Sequence, residues 1–311
     1  MQRQTFSTEE LKAELERSLG FVFRSLDRLG GACALNFKAV RASDGLTFLV
    51  KCSPFARQKS FDGLVDHLRV LAGSKAVRRL FERECPPTFR GCNVICLSWC
   101  GGEAVFPDKL SAAELDGFLD DYLAFSEATQ KVNVVLPARP IRKWREDALG
   151  KSRGIGGWLL RRLLMEMEPD VCDYEPDRLR VIHGDFHHGN FCFVGGKVSG
   201  IFDLEEFRLG YPADDLVRYF TCAAEHLCWY EQFRKRRILK RFAQVVRRLP
   251  WTQREWMTAV NGRFIGKVFM RTRKHGCVSL PKALNLLWCA GFYRRLRQVV
   301  TDRFEQSGGM A

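Results

Sequence analysis

The sequence predicts an α+β protein with a small β-rich N-terminal lobe, residues 1–97, and a larger, mainly helical C-terminal lobe, residues 98–311. Three observations predict this class. Two β-prone runs joined by turn residues lie in the first third of the chain, helical spacing dominates after residue 102, and one β island interrupts the helices near residue 190. With 46% hydrophobic residues, 311 residues can bury a sizeable core.

The first third begins with a helix and continues with strands. Ser7 and Glu10 have the spacing of a capping box, which predicts an amphipathic helix over residues 8–19 that ends at Gly20. The segment LNFKAVRASDGLTFLVKC has two apolar β-prone runs around a Ser-Asp-Gly turn, which predicts a hairpin. Lys51 lies near the end of its second strand.

Local spacing also assigns the rest of the chain. Residues 61–84 have helical spacing, and NVICLSW is a short β run before a hinge at residues 97–102. Two further capping boxes predict helices in the second half, and these are Ser111 with Glu114 and Thr252 with Glu255. The β island combines an apolar VI, a polar loop, and strands FCFV and VSGIF joined by a Gly-Gly turn.

Composition and charge limit the expected cellular location and the expected class of binding partner. The N-terminus lacks an apolar signal region and no apolar stretch is long enough to span a bilayer, so we expect a cytoplasmic protein without a transmembrane segment. The formal net charge of +14 suggests an acidic partner, which nucleic acid, anionic lipid headgroups or a phosphorylated substrate would each satisfy. Charge alone does not choose among them, and it leaves peripheral membrane contact open.

The twelve cysteines do not predict a disulfide framework or a zinc site. They are scattered, and none has the paired Cys-x-x-Cys spacing of such sites. Cys92, Cys96 and Cys100 form the closest group, but no histidine is near them. We therefore expect reduced, mostly buried thiols.

The chemistry is concentrated in one segment. His183, Gly184 and Asp185 are followed after four residues by Asn190, and after a strand, turn and strand by Asp203. Phosphoryl transfer needs a carboxylate that orients the acceptor hydroxyl, together with oxygen ligands that hold magnesium against the nucleotide phosphates. This segment offers both kinds of group.

On these residues the sequence resembles the aminoglycoside phosphotransferase and choline kinase family. VIHGDFHHGN resembles its catalytic loop, IFDLEEF its metal-binding strand end, and GYPADDL the Gly-x-Pro-x-x-Asp-Leu element that follows. The agreement of three motifs in order within about 35 residues is far more specific than any one of them. The resemblance is strongest over residues 180–220. It implies a two-lobed protein-kinase-like fold and a kinase that uses ATP or GTP with Mg²⁺.

The resemblance also implies residue roles. Asp185 matches the catalytic aspartate, and His183 is expected to brace its loop. Asn190 and Asp203 match the magnesium ligands, with Glu205 as a further acidic position. Asp215 is expected to tie the following helix to the loop.

The upstream lobe is expected to bind the nucleotide. Lys51 resembles the strand lysine that contacts the α and β phosphates. Gly30 and Gly31 resemble the turn whose backbone amides approach phosphate, because glycine permits close approach. The adenine is expected at the hinge, near Ser98 and Trp99.

Two points of the site stay open on sequence alone. Kinases of this type pair the strand lysine with a helix glutamate, and here the nearest acid is Asp66, with Asp62 and Glu82 as alternatives. His187 and His188 invite a zinc site with Asp185, but adjacent histidines on a loop point in different directions.

The acceptor is expected to be a small molecule or glycan. The C-terminal half is basic, and four arginines could share one helix face as an anion-binding stripe or simply face water: Arg234, Arg237, Arg241 and Arg248. A basic lobe argues against a polycationic acceptor and favours an anionic sugar or the phosphate-rich core of a lipopolysaccharide. No nucleic acid is expected.

The rival interpretations are a pseudokinase-like binding module without catalysis, a nucleic-acid-binding protein, and a protein kinase. The pattern His-Gly-Asp with Asp-Leu-Glu differs from the motifs of protein kinases.

Overall fold

The computed structural model describes residues 6–29, 34–72, 88–133, 136–151, 154–167, 173–228, 230–275 and 280–308. The chain forms two compact units, each of them discontinuous in sequence. The N-terminal unit comprises Met1–Glu103, Glu127–Asn133 and Phe191–Glu205, and the C-terminal unit comprises Ala104–Ser126, Val134–Asn190 and Glu206–Ala311. The lobe boundary at residue 97 stays a prediction.

The N-terminal unit contains an antiparallel sheet of five described strands in the order β1-β2-β3-β5-β4. A helix precedes the sheet and another follows β3. The element bounds are α1 Thr8–Leu19, β1 Phe23–Leu29, β2 Leu35–Arg41, β3 Thr47–Pro54, α2 Gln58–Val70, β4 Thr88–Phe89 and β5 Cys92–Ser98.

The predicted hairpin is confirmed as the pair β2 and β3. Val40 lies opposite Thr47, and the turn between them contains Gly45 with φ 72°, a conformation that glycine adopts without strain. Alternation along β3 and β5 directs apolar side chains to a core beneath α1. Cys92 and Cys96 are buried free thiols in this core, as expected for reduced cysteines.

The first capping box is confirmed. The side chain of Ser7 accepts the Glu10 N–H at 3.1 Å, and the Glu10 carboxylate accepts the Ser7 N–H at 2.8 Å. α1 ends at Gly20, whose φ of 72° is the left-handed conformation that terminates many helices. Its buried leucines, at positions 11, 15 and 19, cover the sheet.

A second hairpin belongs to the N-terminal unit although it lies almost a hundred residues further along the chain. It consists of β7, Phe191–Val194, and β8, Lys197–Ile201, joined by the predicted Gly-Gly turn. Phe193 exchanges backbone hydrogen bonds with Glu103 at 2.9 and 3.0 Å, which anchors β7 to the segment after β5. This hairpin leads directly to Asp203.

The C-terminal unit is mainly helical, as predicted. Its helices are α3 Ala112–Thr129, whose last turn lies in the N-terminal unit, α4 Ile141–Lys151, α5 Gly154–Met165, α6 Pro212–Glu225, α7 Gln232–Arg248, α8 Gln253–His275 and α9 Leu280–Gly308. α8 packs against α4, α6 and α9, and α9 also packs against α5 and α7. The capping boxes before α3 and α8 are confirmed.

Two short antiparallel strands complete the C-terminal unit, β6 Arg180–Ile182 and β9 Arg208–Gly210. They bring the start of the catalytic-loop motif beside the start of α6. The predicted helix over residues 61–84 is described only as α2, because residues 73–87 lie outside the described part of the chain. Among the described helices, none combines the length and apolarity that crossing a membrane requires.

Candidate active site

The loop after β6 is held by backbone hydrogen bonds to a buried carboxylate. Asp215 lies in the first turn of α6 and accepts the N–H of His183 at 2.8 Å and that of Gly184 at 2.9 Å. Burial raises the pKa of Asp215, and the electrostatic interaction with His183 and these two hydrogen bonds oppose that effect. The predicted tie between this helix and the loop is confirmed.

Glycine is required at position 184. Its φ is 79°, and a Cβ atom built there would lie 2.2 Å from the carbonyl oxygen of Glu206. The Gly184 carbonyl in turn accepts a hydrogen bond from Arg139 at 2.8 Å. His183 is fully buried, and its Nδ1 accepts the Asp185 N–H at 3.3 Å. These contacts leave the loop little freedom where it presents Asp185.

Asp185 is ionised and lies between an arginine and a histidine. Its Oδ1 forms an ion pair with Arg218 of α6, and its Oδ2 lies 3.6 Å from Nε2 of His187. Burial works to raise the pKa of Asp185, but the interaction with His187 and the charge of Arg218 outweigh it and hold the pKa at about 2. At neutral pH this carboxylate is therefore a good hydrogen-bond acceptor and a weak base.

Asn190 closes the same loop. Its N–H donates to the His187 carbonyl at 2.8 Å, and its side-chain amide donates to the Asp185 carbonyl at 2.9 Å. The residue is 6% exposed, so its side-chain orientation is fixed by packing. The side-chain NH₂ group therefore helps to hold the loop.

In the N-terminal unit, Lys51 lies beside two carboxylates. Its Nζ is 3.2 Å from Oδ1 of Asp203 and forms a closer ion pair with Glu205. Lys51 projects from the middle of β3, where it is 8% exposed. A buried ammonium needs opposite charge, and the segment after β8 supplies it.

Asp203 has an uncommon backbone conformation. Its φ is 65°, in the left-handed region that non-glycine residues rarely adopt and that aspartate and asparagine tolerate best. The next residue, Leu204, is also fixed, because its carbonyl oxygen lies 2.9 Å from Nδ1 of His67 in α2. The segment that carries Asp203 is therefore held from both the strand and the helix.

The acid that pairs with Lys51 is not the one expected from α2. Asp66 lies beside Arg69 at 3.5 Å, with 72% of its side chain exposed, so the interpretation of Asp66 as the partner of Lys51 is wrong. Asp62 is described in α2, but Glu82 lies outside the described residues. Glu205 fills the position of the paired acid in this structure.

The nucleotide-binding predictions are only partly within the described residues. Gly30 and Gly31 lie outside them. Ser98 ends β5, and the N–H of Trp99 donates to the Thr47 carbonyl at 3.3 Å, while Nζ of Lys38 lies 5.2 Å from the centre of the Trp99 ring. The backbone N–H of Trp99 is thus hydrogen-bonded to the sheet. That the adenine base binds at the hinge, near Ser98 and Trp99, stays a prediction.

The two adjacent histidines are arranged differently from the expectation. Their rings lie 5.7 Å apart at an angle of 65°, yet His187, His188 and Cys222 each offer a ligand atom within 4.8 Å of the others. The cationic neighbours Arg218 and Arg263 face the Cys222 thiol, and their charge opposes a metal cation there.

The arginine stripe of α7 is largely used inside the C-terminal unit. Arg234 binds Asp108 at 2.7 and 3.3 Å, and Arg248 pairs with Asp116 and Asp120, the latter at 2.7 Å. Arg241 donates to Gln244 at 2.9 Å. The interpretation of these four arginines as one anion-binding stripe is therefore wrong, because two of them neutralise carboxylates of their own unit.

The oxygen donors of the candidate site fit a magnesium ion. Asp203 and Glu205 supply two carboxylates in the N-terminal unit, in the segment after β8. Mg²⁺ prefers such hard oxygen ligands and keeps part of its shell from water and phosphate.

Sequence reasoning missed three residues that shape the site: Arg218, Arg139 and His67. Arg218 contacts Asp185 from the second turn of α6, Arg139 donates to the Gly184 carbonyl, and His67 contacts the Leu204 carbonyl. Each acts on a segment that is distant in sequence. No local pattern marks such contacts, because they exist only after the chain has folded.

Comparison with known proteins identifies the fold and the family. The profile of the phosphotransferase enzyme family matches residues 29–245. No curated protein matches the chain by sequence. Among solved structures, a putative aminoglycoside phosphotransferase from Ralstonia eutropha has a TM-score of 0.61 at 16% identity, with 96% of this chain and 99% of that chain covered.

Two further solved structures share the fold. An amicoumacin kinase in complex with AMP-PNP, Ca²⁺ and Ami has a TM-score of 0.60 at 14% identity, covering 94% of this chain and 96% of that chain. A spectinomycin phosphotransferase in complex with ADP and spectinomycin has a TM-score of 0.60 at 12% identity, covering 96% and 98%. The predicted fold class, a small antiparallel sheet with a larger helical region in the kinase-like fold of these enzymes, is confirmed.

Proposed function

This chain belongs to the phosphotransferase enzyme family, and we propose that it transfers the γ-phosphoryl group of ATP to a hydroxyl group of a small molecule. A divalent cation, Mg²⁺, is its cofactor. Structures with the same fold support the choice, since their descriptions include AMP-PNP with Ca²⁺ in one case and ADP in another. GTP is the alternative phosphoryl donor.

The observation that carries the proposal is the contact of the buried Lys51 with the buried Glu205 and the partly exposed Asp203. Burying the ammonium group of a lysine in a central strand costs free energy unless an opposite charge compensates it, so such a lysine usually has a structural or functional role. Here the partners are the two acids that the family resemblance assigns to the metal. When nucleotide and Mg²⁺ are bound, the cation supplies charge neutralisation at the phosphates, and Lys51 can bind phosphate oxygens.

Asp185 orients the acceptor hydroxyl. With a pKa of about 2 it accepts a hydrogen bond from that hydroxyl at any physiological pH, and it is too weak a base to remove the proton early. A loose phosphoryl-transfer transition state makes little demand on a base, so positioning is the larger contribution. His183 and Asn190 keep the carboxylate in place through their hydrogen bonds to its loop.

The acceptor is anionic in this proposal, for example a phosphorylated sugar or the phosphate-bearing core of a lipopolysaccharide. The net charge of +14 supports it, because a polycationic acceptor would meet repulsion. Three carboxylates of the C-terminal unit, Asp108, Asp116 and Asp120, already pair with arginines of α7.

The test is an acceptor screen with the full chain. ADP release is measured with ATP and Mg²⁺ against amino alcohols, sugars, phosphosugars and aminoglycosides, and mass spectrometry checks each active acceptor for one added phosphoryl group. We expect transfer that requires Mg²⁺ and is abolished by EDTA. If the chain bound the nucleotide but neither transferred the phosphoryl group to any acceptor nor hydrolysed ATP, the pseudokinase-like module would be supported instead.

A further inference from the structure

In the C-terminal unit one arginine, Arg218, contacts the candidate catalytic carboxylate Asp185, and a second, Arg263, interacts electrostatically with it. Arg218, on α6, forms the ion pair with Asp185. Arg263, on α8, donates to the Thr221 hydroxyl at 3.4 Å and lies 3.9 Å from Glu225. The side chains of Arg218 and Arg263 are 20% and 18% exposed, so both are mostly buried yet reachable from solvent.

The group has more positive than negative charge. Arg218 pairs with Asp185, whereas Arg263 and Lys267 share one carboxylate, Glu225, which Lys267 contacts at 3.0 Å. Three cations thus face two carboxylates. Burial lowers the pKa of Arg218, and the charge of Arg263 lowers it further. Two guanidinium groups that repel each other in a mostly buried position favour an additional anion.

Arg218 also has unused hydrogen-bonding capacity. Its Nε is buried and has no hydrogen-bond partner among the described residues. A guanidinium offers donors in a planar fork that matches the oxygens of a phosphate or carboxylate group. A buried donor without an acceptor costs free energy, and a bound anion would remove that cost.

We propose that Arg218 and Arg263 form an acceptor subsite that binds an anionic group, a phosphate monoester or a carboxylate, carried by the acceptor near the hydroxyl that is phosphorylated. The proposal rests on the proposed function and adds the residues that select the substrate. An acceptor anion bound at Arg218 places a neighbouring hydroxyl beside Asp185. The subsite thus couples selection of the acceptor to its orientation.

Binding of inorganic phosphate tests the subsite without any catalysis. Isothermal titration of the full chain with phosphate compares the wild type with Arg218→Ala, Arg263→Gln and the control Arg236→Ala, which alters an exposed arginine of α7. We expect the affinity for phosphate to fall about 10- to 100-fold in the first two variants, as for lost charge-assisted hydrogen bonds, and to stay unchanged in the control.

Arg218→Lys serves as a second variant if Arg218→Ala does not fold, which thermal unfolding shows. Lysine keeps the positive charge but lacks the planar set of N–H donors of the guanidinium group, so we expect an affinity for phosphate between those of the wild type and Arg218→Ala. Equal affinities in wild type and both arginine variants, or a loss in Arg236→Ala instead, would overturn the subsite.

A second experiment measures acceptor selectivity and shows whether the subsite prefers a phosphate or a carboxylate group. The values of kcat/KM are compared for a hexose phosphate, a hexuronate and the neutral hexose. We expect the wild type to prefer an anionic member, and Arg218→Lys and Arg263→Gln to reduce that preference at least tenfold. If both variants lowered kcat/KM equally for all three compounds, the selecting role would be refuted. If the wild type transferred to none of the acceptors in the screen, the proposed function would fail, while phosphate binding would still decide whether the anion site exists.

Discussion

The carboxylate of Asp215 accepts the backbone N–H of Gly184 at 2.9 Å and so joins the first turn of α6 to the loop that presents Asp185. The same carboxylate also accepts the backbone N–H of His183, so each of its two oxygens binds one N–H group of the loop. The Tyr122 hydroxyl donates to the same carboxylate at 3.3 Å. One buried side chain thus determines the position of the whole candidate catalytic loop.

Replacing this carboxylate is expected to cost both stability and activity. In Asp215→Ala two buried N–H groups lose their acceptor, which should lower the free energy of unfolding by about 3 kcal/mol. Urea denaturation measures the change, and Asp302→Ala, at an exposed position of α9, is the control that should change it by less than about 0.5 kcal/mol. An Asp215→Ala protein as stable as the control would contradict the role of this contact.

The Lys51 and Glu205 pair predicts a double-mutant result. Lys51→Met leaves a buried carboxylate without its cation and should lower the free energy of unfolding by about 3 kcal/mol, whereas Lys51→Met with Glu205→Gln should recover most of it. Activity should follow a different pattern, with both proteins losing about 10²-fold or more in kcat/KM for ATP.

Lys197→Ala, at the exposed turn between β7 and β8, is the control for loss of a lysine. If the double variant regained activity together with stability, Lys51 would have only a structural role.

Asp203→Asn separates backbone geometry from metal binding. Asparagine tolerates the left-handed conformation seen at φ 65°, so the free energy of unfolding should change by less than about 1 kcal/mol. The loss of a carboxylate ligand should raise the Mg²⁺ concentration needed for half-maximal turnover at least about tenfold. A magnesium titration at saturating ATP measures this, and an unchanged magnesium requirement would remove Asp203 from the metal site.

A pH dependence of stability is expected from Asp214. Burial raises its pKa to about 6, against the opposing effects of Arg139 and Tyr174, whereas the unfolded chain has the ordinary value of 3.8. Between these values the folded state holds a proton that the unfolded state has released, so stability falls as pH rises from about 4 to 6. The fall should amount to about 3 kcal/mol from this residue.

Asp214→Asn removes the titration and should flatten that part of the curve relative to the wild type. The amide can still accept from the Tyr174 hydroxyl and the Tyr211 N–H, which the carboxylate binds at 2.9 Å each. Unfolding measured at half-unit steps of pH tests this. Parallel curves for the two proteins would show that Asp214 does not titrate in this range.

Sequence patterns predict the features that local rules determine. Helix starts at Ser7, Ser111 and Thr252 follow from capping boxes that need only residues three apart, and all three form. The β2–β3 turn follows from its glycine. The order and spacing of the family motifs identify Asp185, Asn190 and Asp203 as candidate site residues, because each lies in a short recognisable segment.

Contacts between distant segments could not be predicted in the same way. Arg218 meets Asp185 only because α6 is fixed to the loop by Asp215. Glu205 lies at Lys51 because the second hairpin belongs to the N-terminal unit, whereas Asp66 of α2 lies beside Arg69. The sequence left the role of the α7 arginines open, because Asp108 and Asp120, which pair with Arg234 and Arg248, lie more than a hundred residues away in sequence.

The most direct measurement of the central claim is the rate of phosphoryl transfer in Asp185→Asn, with Asp177→Asn at an exposed position as the control. Asparagine keeps the size and one acceptor oxygen for Arg218, so folding and ATP affinity should be preserved. The account predicts a fall in turnover of about 10²- to 10⁴-fold for Asp185→Asn and none for Asp177→Asn. Full turnover in Asp185→Asn would contradict it.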